Sequence, residues 1–492
     1  MPFGANGCAA HSKPADPTRL GWRRKFFPRV DYALPMPLPA ELLARLRAIF
    51  PVDALATGEV ERRAFARDNS RHEQLPEVVA FPTAHEQVEA LVRACREHKV
   101  PLTARGGGTS STGASVPAPG GVVACFARMN RILRIAPDDR LAVVEPGVTN
   151  EMLQQALAPH GFFWAPDPGS APWCAVGGNL ACNAGGPRAV KYGSTRDNVL
   201  GLAAVAGTGG SFRAGTHTTK DSTGYDLTRL LIGSEGTLAL ITEATLKLTP
   251  RPGAVRTLRA SYVDTGTAAQ AVARIMAQAV TPSALEFMDA LALKLARDFH
   301  PEAGVPEAGA LLMIEVDGEP GTLDVAAAAV MRAARGAGLV ELAVATDVAE
   351  TAALWAARKA LSLAQRAVTQ HKINEDVVVP VSRLPALVDG VRTLSERHAV
   401  PIVSFGHAGN GNLHVNLLPR DVDEIERAYA ALPELFALVI ALEGTLSGEH
   451  GIGLAKREYL PLALGEETLV LMRAVKAAFD PDGILNPGKL LP

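Results

Sequence analysis

The sequence predicts an α+β chain of at least two layered domains, and three observations carry that expectation. Its 492 residues exceed one ordinary domain of roughly 100–200 residues. The first half sets short β-branched strand runs beside helical spacings. The second half alternates Ala-rich helical stretches with apolar strands. Hydrophobic residues at 48% and charged residues at 20% are ordinary for globular cores.

Residues 1–55 read as an N-terminal arm, Pro-rich first and then one short helix from Glu41 to Ile49. Thr83 and Glu86 match the S/T-x-x-E capping box, and Val88, Leu91, Val92 and Cys95 follow at helical spacing. Val100–Thr103, Gly121–Phe126 and Leu141–Glu145 read as buried strands. A long apolar, β-branched tract occupies 227–249, broken at Gly233 and Gly236. Arg251-Pro252-Gly253 is a turn-rich junction. Beyond it, 323–335 and 351–369 read as helices and Leu311–Val316 as a strand. The last segment, 456–492, begins as a helix and closes on Asp480-Pro481-Asp482-Gly483 and Asn486-Pro487-Gly488-Lys489.

The net charge of −2 gives no reason to expect nucleic acid as a partner. Only the arm is biased: Lys13, Arg19, Arg23, Arg24, Lys25 and Arg29 face Asp16 alone. Such a segment is either a solvated arm or a docking surface for a partner or an anionic membrane. Arg23-Arg24-Lys25-Phe26-Phe27 looks like a twin-arginine signal, but Pro28, Pro35, Pro37 and Pro39 interrupt the apolar stretch that export needs. None of Cys8, Cys95, Cys125, Cys174 and Cys182 forms a C-x-x-C pair, which argues against an iron–sulfur cluster or zinc ribbon. Reduced thiols and a cytoplasmic protein, with peripheral contact at the inner membrane as an option, are the expectation.

Three Gly/Ser/Asn clusters carry ligand chemistry. The first is Arg105-Gly106-Gly107-Gly108-Thr109-Ser110-Ser111-Thr112-Gly113. Successive glycines let backbone N–H groups converge on an anion such as a pyrophosphate. It is neither G-x-G-x-x-G nor a Walker loop. The second runs through Pro168-Gly169-Ser170, Gly177-Gly178-Asn179 and Gly185-Gly186, and the third is Gly233-Ser234-Glu235-Gly236-Thr237-Leu238. Three such clusters, each beside a strand, suggest one long ligand lying against backbone. Taken in order with Glu145-Pro146-Gly147-Val148, Tyr192-Gly193 and Gly224-Tyr225-Asp226-Leu227, they resemble the FAD domain of the vanillyl-alcohol oxidase / p-cresol methylhydroxylase superfamily. The resemblance implies a two-part FAD-binding domain over 56–251. FAD contacts would come from Arg105, Gly106, Gly107, Gly108, Thr109, Ser110, Gly113, Pro168, Gly169, Ser170, Gly177, Gly178, Asn179, Gly185, Tyr192, Gly193, Gly236, Thr237, Ile241 and Asn486. Thr109 stands where several members link flavin through His, so the FAD is expected to be noncovalent.

A second constellation is His407-Ala408-Gly409-Asn410-Gly411-Asn412-Leu413-His414-Val415-Asn416, with Ser447-Gly448-Glu449-His450-Gly451 further on. On one straight strand His407 and His414 would face opposite sides, but the Gly-Asn-Gly-Asn insert supplies a turn that can bring them together. Two His and one carboxylate, His407, His414 and Glu449, suffice for a divalent metal with open positions and leave His450 as a metal-free base. The motifs H-x-G-x-G-N-x-H, G-E-H-G-I-G and N-P-G-K resemble the FAD-linked D-2-hydroxyacid dehydrogenases, the group of D-lactate dehydrogenase, D-2-hydroxyglutarate dehydrogenase and the D subunit of glycolate oxidase. That implies an α+β substrate (cap) domain over 252–455, with 456–492 returning to the FAD domain. It implies Zn or Mn on His407, His414 and Glu449, and His450 as catalytic base. Substrate contacts would come from Arg358, Ser362 and Asn416, with Lys372 the nearest match to a Lys some members place ahead of the acidic stretch.

The reaction so implied is oxidation of a small D-2-hydroxy acid to the 2-oxo acid. A metal on the hydroxyl oxygen would lower its pKa, His450 would take the proton, and hydride would pass to flavin N5. Gly207-Thr208-Gly209-Gly210 lacks the last Gly of a dinucleotide fingerprint, so the expected acceptor is a quinone, a cytochrome or an electron-transfer flavoprotein rather than NAD. A homo-oligomer is open. Rival readings are a metal hydrolase or oxygenase, a flavin-binding subunit of a multi-subunit glycolate oxidase, and a same-fold flavoenzyme on another alcohol.

Overall fold

Three large sheets and one two-stranded ribbon carry the described residues, 38–345 and 348–492, of the computed structural model. The basic residues Lys13 to Arg29 lie outside the described residues. Helix Ala40–Ile49 buries Leu42 and Leu46 in a core with Val88, Leu91 and Val92 of helix His85–Glu97. That second helix forms without the Thr83/Glu86 box. Its N-cap is Ala84, and Thr83 donates both its N–H and its hydroxyl to Gln87 Oε1, at 2.8 and 3.1 Å. The glutamine amide lies one residue further round the turn and competes for the same groups.

The helix sits on a four-stranded sheet in which Val122–Cys125 runs parallel to Val78–Ala80 and to Leu102–Arg105. The first glycine loop leaves the end of Leu102–Arg105. A five-stranded antiparallel sheet follows: Ile132–Ala136, Leu141–Val144, Ala239–Lys247, Val199–Ala206 and Ser211–Gly215. The apolar tract 227–249 is therefore not one strand. It is helix Leu227–Leu231, the Gly233–Gly236 turn and then strand Ala239–Lys247. Gly207–Gly210 is the hairpin turn between Val199–Ala206 and Ser211–Gly215, with Gly209 at φ +78°.

The third sheet has seven antiparallel strands, in the order Leu339–Val344, Ala254–Tyr262, Ala310–Gly318, Ala284–Asp289, Ile402–Gly406, Asn412–Leu417 and Ile373–Val378. Because successive side chains alternate, each strand has two destinies. Leu285, Phe287, Leu312, Ile314, Val377, Leu413 and Val415 enter one apolar core under helices Thr265–Met276, Pro320–Ala334, Leu384–His398 and Val422–Ala441. Met288, Leu311, Met313, Val403 and Phe405 face the other side, against helices Ala290–Phe299 and Val348–Val368. The C-terminal helix starts later than its sequence suggests, at Glu466, because Pro461 and Gly465 break the 456–465 segment into short turns.

Candidate active site

The second face of the seven-stranded sheet also carries the polar set. Phe405 pairs with His414, and His414 with Asp376; Val403 pairs with Asn416, and Asn416 with Asn374. Opposed residues share a face. His407 follows the end of strand Ile402–Gly406, and the short turn Ala408–Asn410 with Gly411 at φ +74° returns the chain into Asn412–Leu417. A side chain at 411 would also have its Cβ 1.8 Å from Val379 O, so glycine is required there. The hairpin sets the two imidazoles edge to face, with centroids 5.3 Å apart.

Glu449 Oε1 lies 3.2 Å from His407 Nε2 and 3.7 Å from His414 Nε2. The three donors all fall within 4.8 Å of one another. A carboxylate missed from sequence, Glu286 on strand Ala284–Asp289, bonds His407 Nδ1 at 2.6 Å. Glu286 is fully buried and also accepts from Arg358 Nε at 2.8 Å and Nη2 at 2.7 Å. Burial opposes its charge, yet His407 and Arg358 hold its carboxyl down at about 2. Burial also opposes charge on His407, but Glu286 and Glu449 raise it to about 10. The two ring nitrogens of His407 each face a carboxylate, Nδ1 that of Glu286 and Nε2 that of Glu449. Burial and the neighbouring His450 and His407 lower His414 to about 3. A ring kept neutral, a carboxylate facing both Nε2 atoms and a second carboxylate behind one His form a donor set that fits a divalent cation.

The Ser447–Gly453 loop is held at both ends by buried carboxylates. Asp376 Oδ2 accepts from the Ser447 hydroxyl at 3.1 Å and from the backbone N–H of Gly448, Glu449 and His450 at 2.8, 2.8 and 3.0 Å. Asn412 Nδ2 donates to its other oxygen at 2.6 Å. Despite burial, His450, Lys456 and these donors hold Asp376 well below the usual carboxylate range. Glu235, from the third glycine cluster, accepts from Ile452 and Gly453 N–H at 2.6 and 2.8 Å. His450 stacks on His414 at 5.2 Å, with Nδ1 3.5 Å from the Asn374 amide nitrogen.

The other expected residues fall in two groups. Arg358 is near the set, but its guanidinium is taken by Glu286 and lies 4.6 Å from the Phe405 ring centroid. Ser362 is exposed one turn later, 3.5 Å from Lys372 Nζ. Asn416 is wholly buried, with Nδ2 donating to His414 O and Oδ1 without a partner. Of the glycine-cluster residues, Arg105 braces its loop from behind, donating to Arg67 O and lying under Phe65. Tyr192 bonds Asp317 at 2.6 Å, Asn179 bonds Asn150, and Asn486 ties Ala114 O to Glu235 O. Thr237 donates to Ser234 O, and Ile241 is half-buried on its strand. Glycines 107 and 177 allow packing against Trp173 O and Pro146, where a Cβ would lie 2.0 and 2.7 Å away. Gly169 and Gly178 instead face open space, with nothing within 4 Å of a Cβ. Those open backbones, with half-buried Gly106, Gly108, Thr109 and Ser110 and exposed Gly107, leave room for a cofactor along the loops. Gly185 N–H donates to Glu449 at 3.2 Å, so the second cluster meets the His/Glu set directly. Pro168, Ser170, Gly113, Gly193 and Gly236 lie in the turns of the same clusters, the last three at positive φ.

Residues 76–215 match the family described as FAD binding domain, and 251–490 match FAD linked oxidases, C-terminal domain. The glycolate oxidase subunit GlcD of Bacillus subtilis is 39% identical over 85% of this chain and 90% of its own. The chain belongs to the FAD-linked oxidase family. A D-lactate dehydrogenase of Anaerostipes hadrus is 34% identical to this FAD-linked oxidase over 92% of the chain and 97% of its own. The fold is that of p-cresol methylhydroxylase, with a TM-score of 0.78 at 16% identity over 93% of this chain and 98% of that one. This FAD-linked oxidase is thus an oxidoreductase and a flavoprotein. Among the described residues no helix is long and apolar enough to cross a membrane.

Proposed function

We propose that the protein oxidises a small D-2-hydroxy acid to the 2-oxo acid, with noncovalent FAD and a divalent metal, Zn or Mn. The observation that carries this reading is the convergence of His407, His414 and Glu449 beside His450, with Gly185 of the flavin-loop region bonded to Glu449. The names of the relatives, a glycolate oxidase subunit and a D-lactate dehydrogenase, support the same substrate class.

When bound, FAD supplies the hydride acceptor and the cation supplies the charge that makes a substrate hydroxyl acidic. His407, His414 and Glu449 hold the cation, and Glu286 orients His407. His450 takes the hydroxyl proton at Nε2, with Asn374 and Asp376 fixing the ring from the Nδ1 side. Arg358, positioned by Glu286, steers the substrate carboxylate, and Asn416 supports the His414 strand. Thr109 offers no covalent attachment, so acid precipitation releases the flavin. Electrons leave to an external carrier, a quinone, cytochrome or electron-transfer flavoprotein. In support, the nearest candidate for a dinucleotide loop, Gly207–Gly210, is a hairpin turn.

The test is anaerobic bleaching of the flavin by a panel of 2-hydroxy acids of both hands. D-acids and glycolate should bleach it and L-acids should not. Bleaching by none of them would remove the assignment.

A further inference from the structure

The loop that carries His450 is suspended between two parts of the chain. On the sheet side, Asp376 takes the N–H groups of Gly448, Glu449 and His450. On the other side, all three glycine clusters reach it. From the second, Gly185 N–H donates to Glu449 at 3.2 Å. From the first, the Thr112 hydroxyl donates to His450 O at 3.2 Å, and Thr112 O accepts from Leu454 and Ala455 N–H at 2.8 and 3.1 Å. From the third, Glu235 takes the N–H groups of Ile452 and Gly453 at 2.6 and 2.8 Å. His450 and Gly451 therefore lie between two carboxylate anchors. Stacking on His414 sets the plane of the His450 ring, but its polar contacts are long, 3.5 Å to Asn374 and 4.0 Å to Asp376 Oδ2. The position of the ring then follows its backbone.

Glu235 is shaped for this hold. It is 3% exposed, and its own backbone is tied on both sides, N–H to Ala181 O at 2.8 Å and C=O to the Asn486 amide at 2.7 Å. It stands at φ +53°, the one side chain of its cluster in the left-handed region. Glycine would sit there without strain, so the carboxylate is kept at a conformational cost, and such strain gathers where a side chain has a task. The loop is fitted to it in turn: a Cβ at Gly451 would lie 2.6 Å from Glu235 Oε1.

We propose that Glu235, with Thr112, is a positioning residue for the oxidation: through the backbone of residues 450–453 it aims His450, so that the glycine clusters also place the base. This rests on the reading of His450 as the base and deepens it. A base must come within hydrogen-bond reach of the proton it takes, and a displacement of about 1 Å costs on the order of 100-fold in rate.

The experiment is anaerobic stopped-flow reduction of the FAD in the purified holoenzyme. Glycolate, D-lactate and D-2-hydroxyglutarate are offered, and the fastest is followed in light and heavy water. Glu235→Gln keeps the shape of the side chain but sets an amide donor against one of the two N–H groups. It should slow reduction by about 10–100-fold with substrate Kd and FAD content kept. Its solvent isotope effect should rise above that of the parent, because proton transfer to a displaced base becomes the slow step. Thr112→Val removes only the hydroxyl bond to His450 O, and should give the same signature at about two- to tenfold. Either variant reducing its flavin at the parent rate, or slowed with the parent solvent isotope effect, would overturn the positioning role alone. So would a loss confined to substrate Kd. No reduction of the parent flavin by any of the three acids, or a parent rate unchanged in His450→Ala, would overturn the reading of His450 as base and this inference with it.

Discussion

The two faces of the seven-stranded sheet are built from the same strands and do opposite work. On strand Asn412–Leu417, Leu413, Val415 and Leu417 are buried among aliphatic neighbours, while Asn412, His414 and Asn416 are buried among polar ones. Burial alone therefore does not separate core from site. What separates them is the company: the apolar face has only dispersion and area to offer, and the polar face matches nearly every charge with a counter-charge or hydrogen bond. Alternation places the two a single residue apart, so the rigid packing of one face holds the geometry of the other.

If that division holds, single substitutions on neighbouring residues should separate chemistry from stability. The largest effect belongs to His450. His450→Ala should slow flavin reduction by roughly 10²–10⁴, with FAD and metal content kept, in stopped-flow and elemental measurements. Leu413→Ala, beside His414 but on the apolar face, should cost about 2–5 kcal/mol of stability in denaturant unfolding. The reduction rate of its folded fraction should stay within about threefold of the parent. A slow but fully stable Leu413→Ala protein would break the comparison.

Smaller effects sharpen it. Glu286→Gln keeps the size of the side chain and removes the charge behind His407, so metal affinity should fall about 10–100-fold by chelator competition. The pH dependence has a definite sign. Glu286 and Glu449 raise His407 to about 10, so binding a cation near neutral pH must displace a proton from that ring. Apparent metal affinity should therefore rise by about tenfold per pH unit between pH 6 and 9, as isothermal titration in buffers of differing ionisation enthalpy would show.

The sequence made some of this legible and hid the rest for identifiable reasons. Glycine loops, the His407/His414 hairpin and the Glu449-His450 pair are local, and turn chemistry or short spacing reveals them. Glu286 is a lone carboxylate between Leu285 and Phe287. It meets His407 only because Phe287 pairs with Gly406 across the sheet, a long-range register that no local pattern encodes. Its one signal was a charge between two apolar residues in the middle of a strand. In the sequence Asp376 is one of two adjacent carboxylates, Glu375-Asp376, and only the fold brings the three N–H groups of 448–450 onto it. The Thr83/Glu86 box failed for a similar reason, since Gln87 outcompeted the expected partner.

The central claim is that the polar face holds a cation on which oxidation depends. The direct measurement is the rate of flavin reduction by a D-2-hydroxy acid in chelator-treated enzyme that retains its FAD, before and after metal is restored. Reduction should be lost on stripping and recovered with Zn²⁺, Mn²⁺ or Co²⁺ at one ion per His407/His414/Glu449 set. Metal-free enzyme, confirmed by elemental analysis, that reduces its flavin at the full rate would contradict the account.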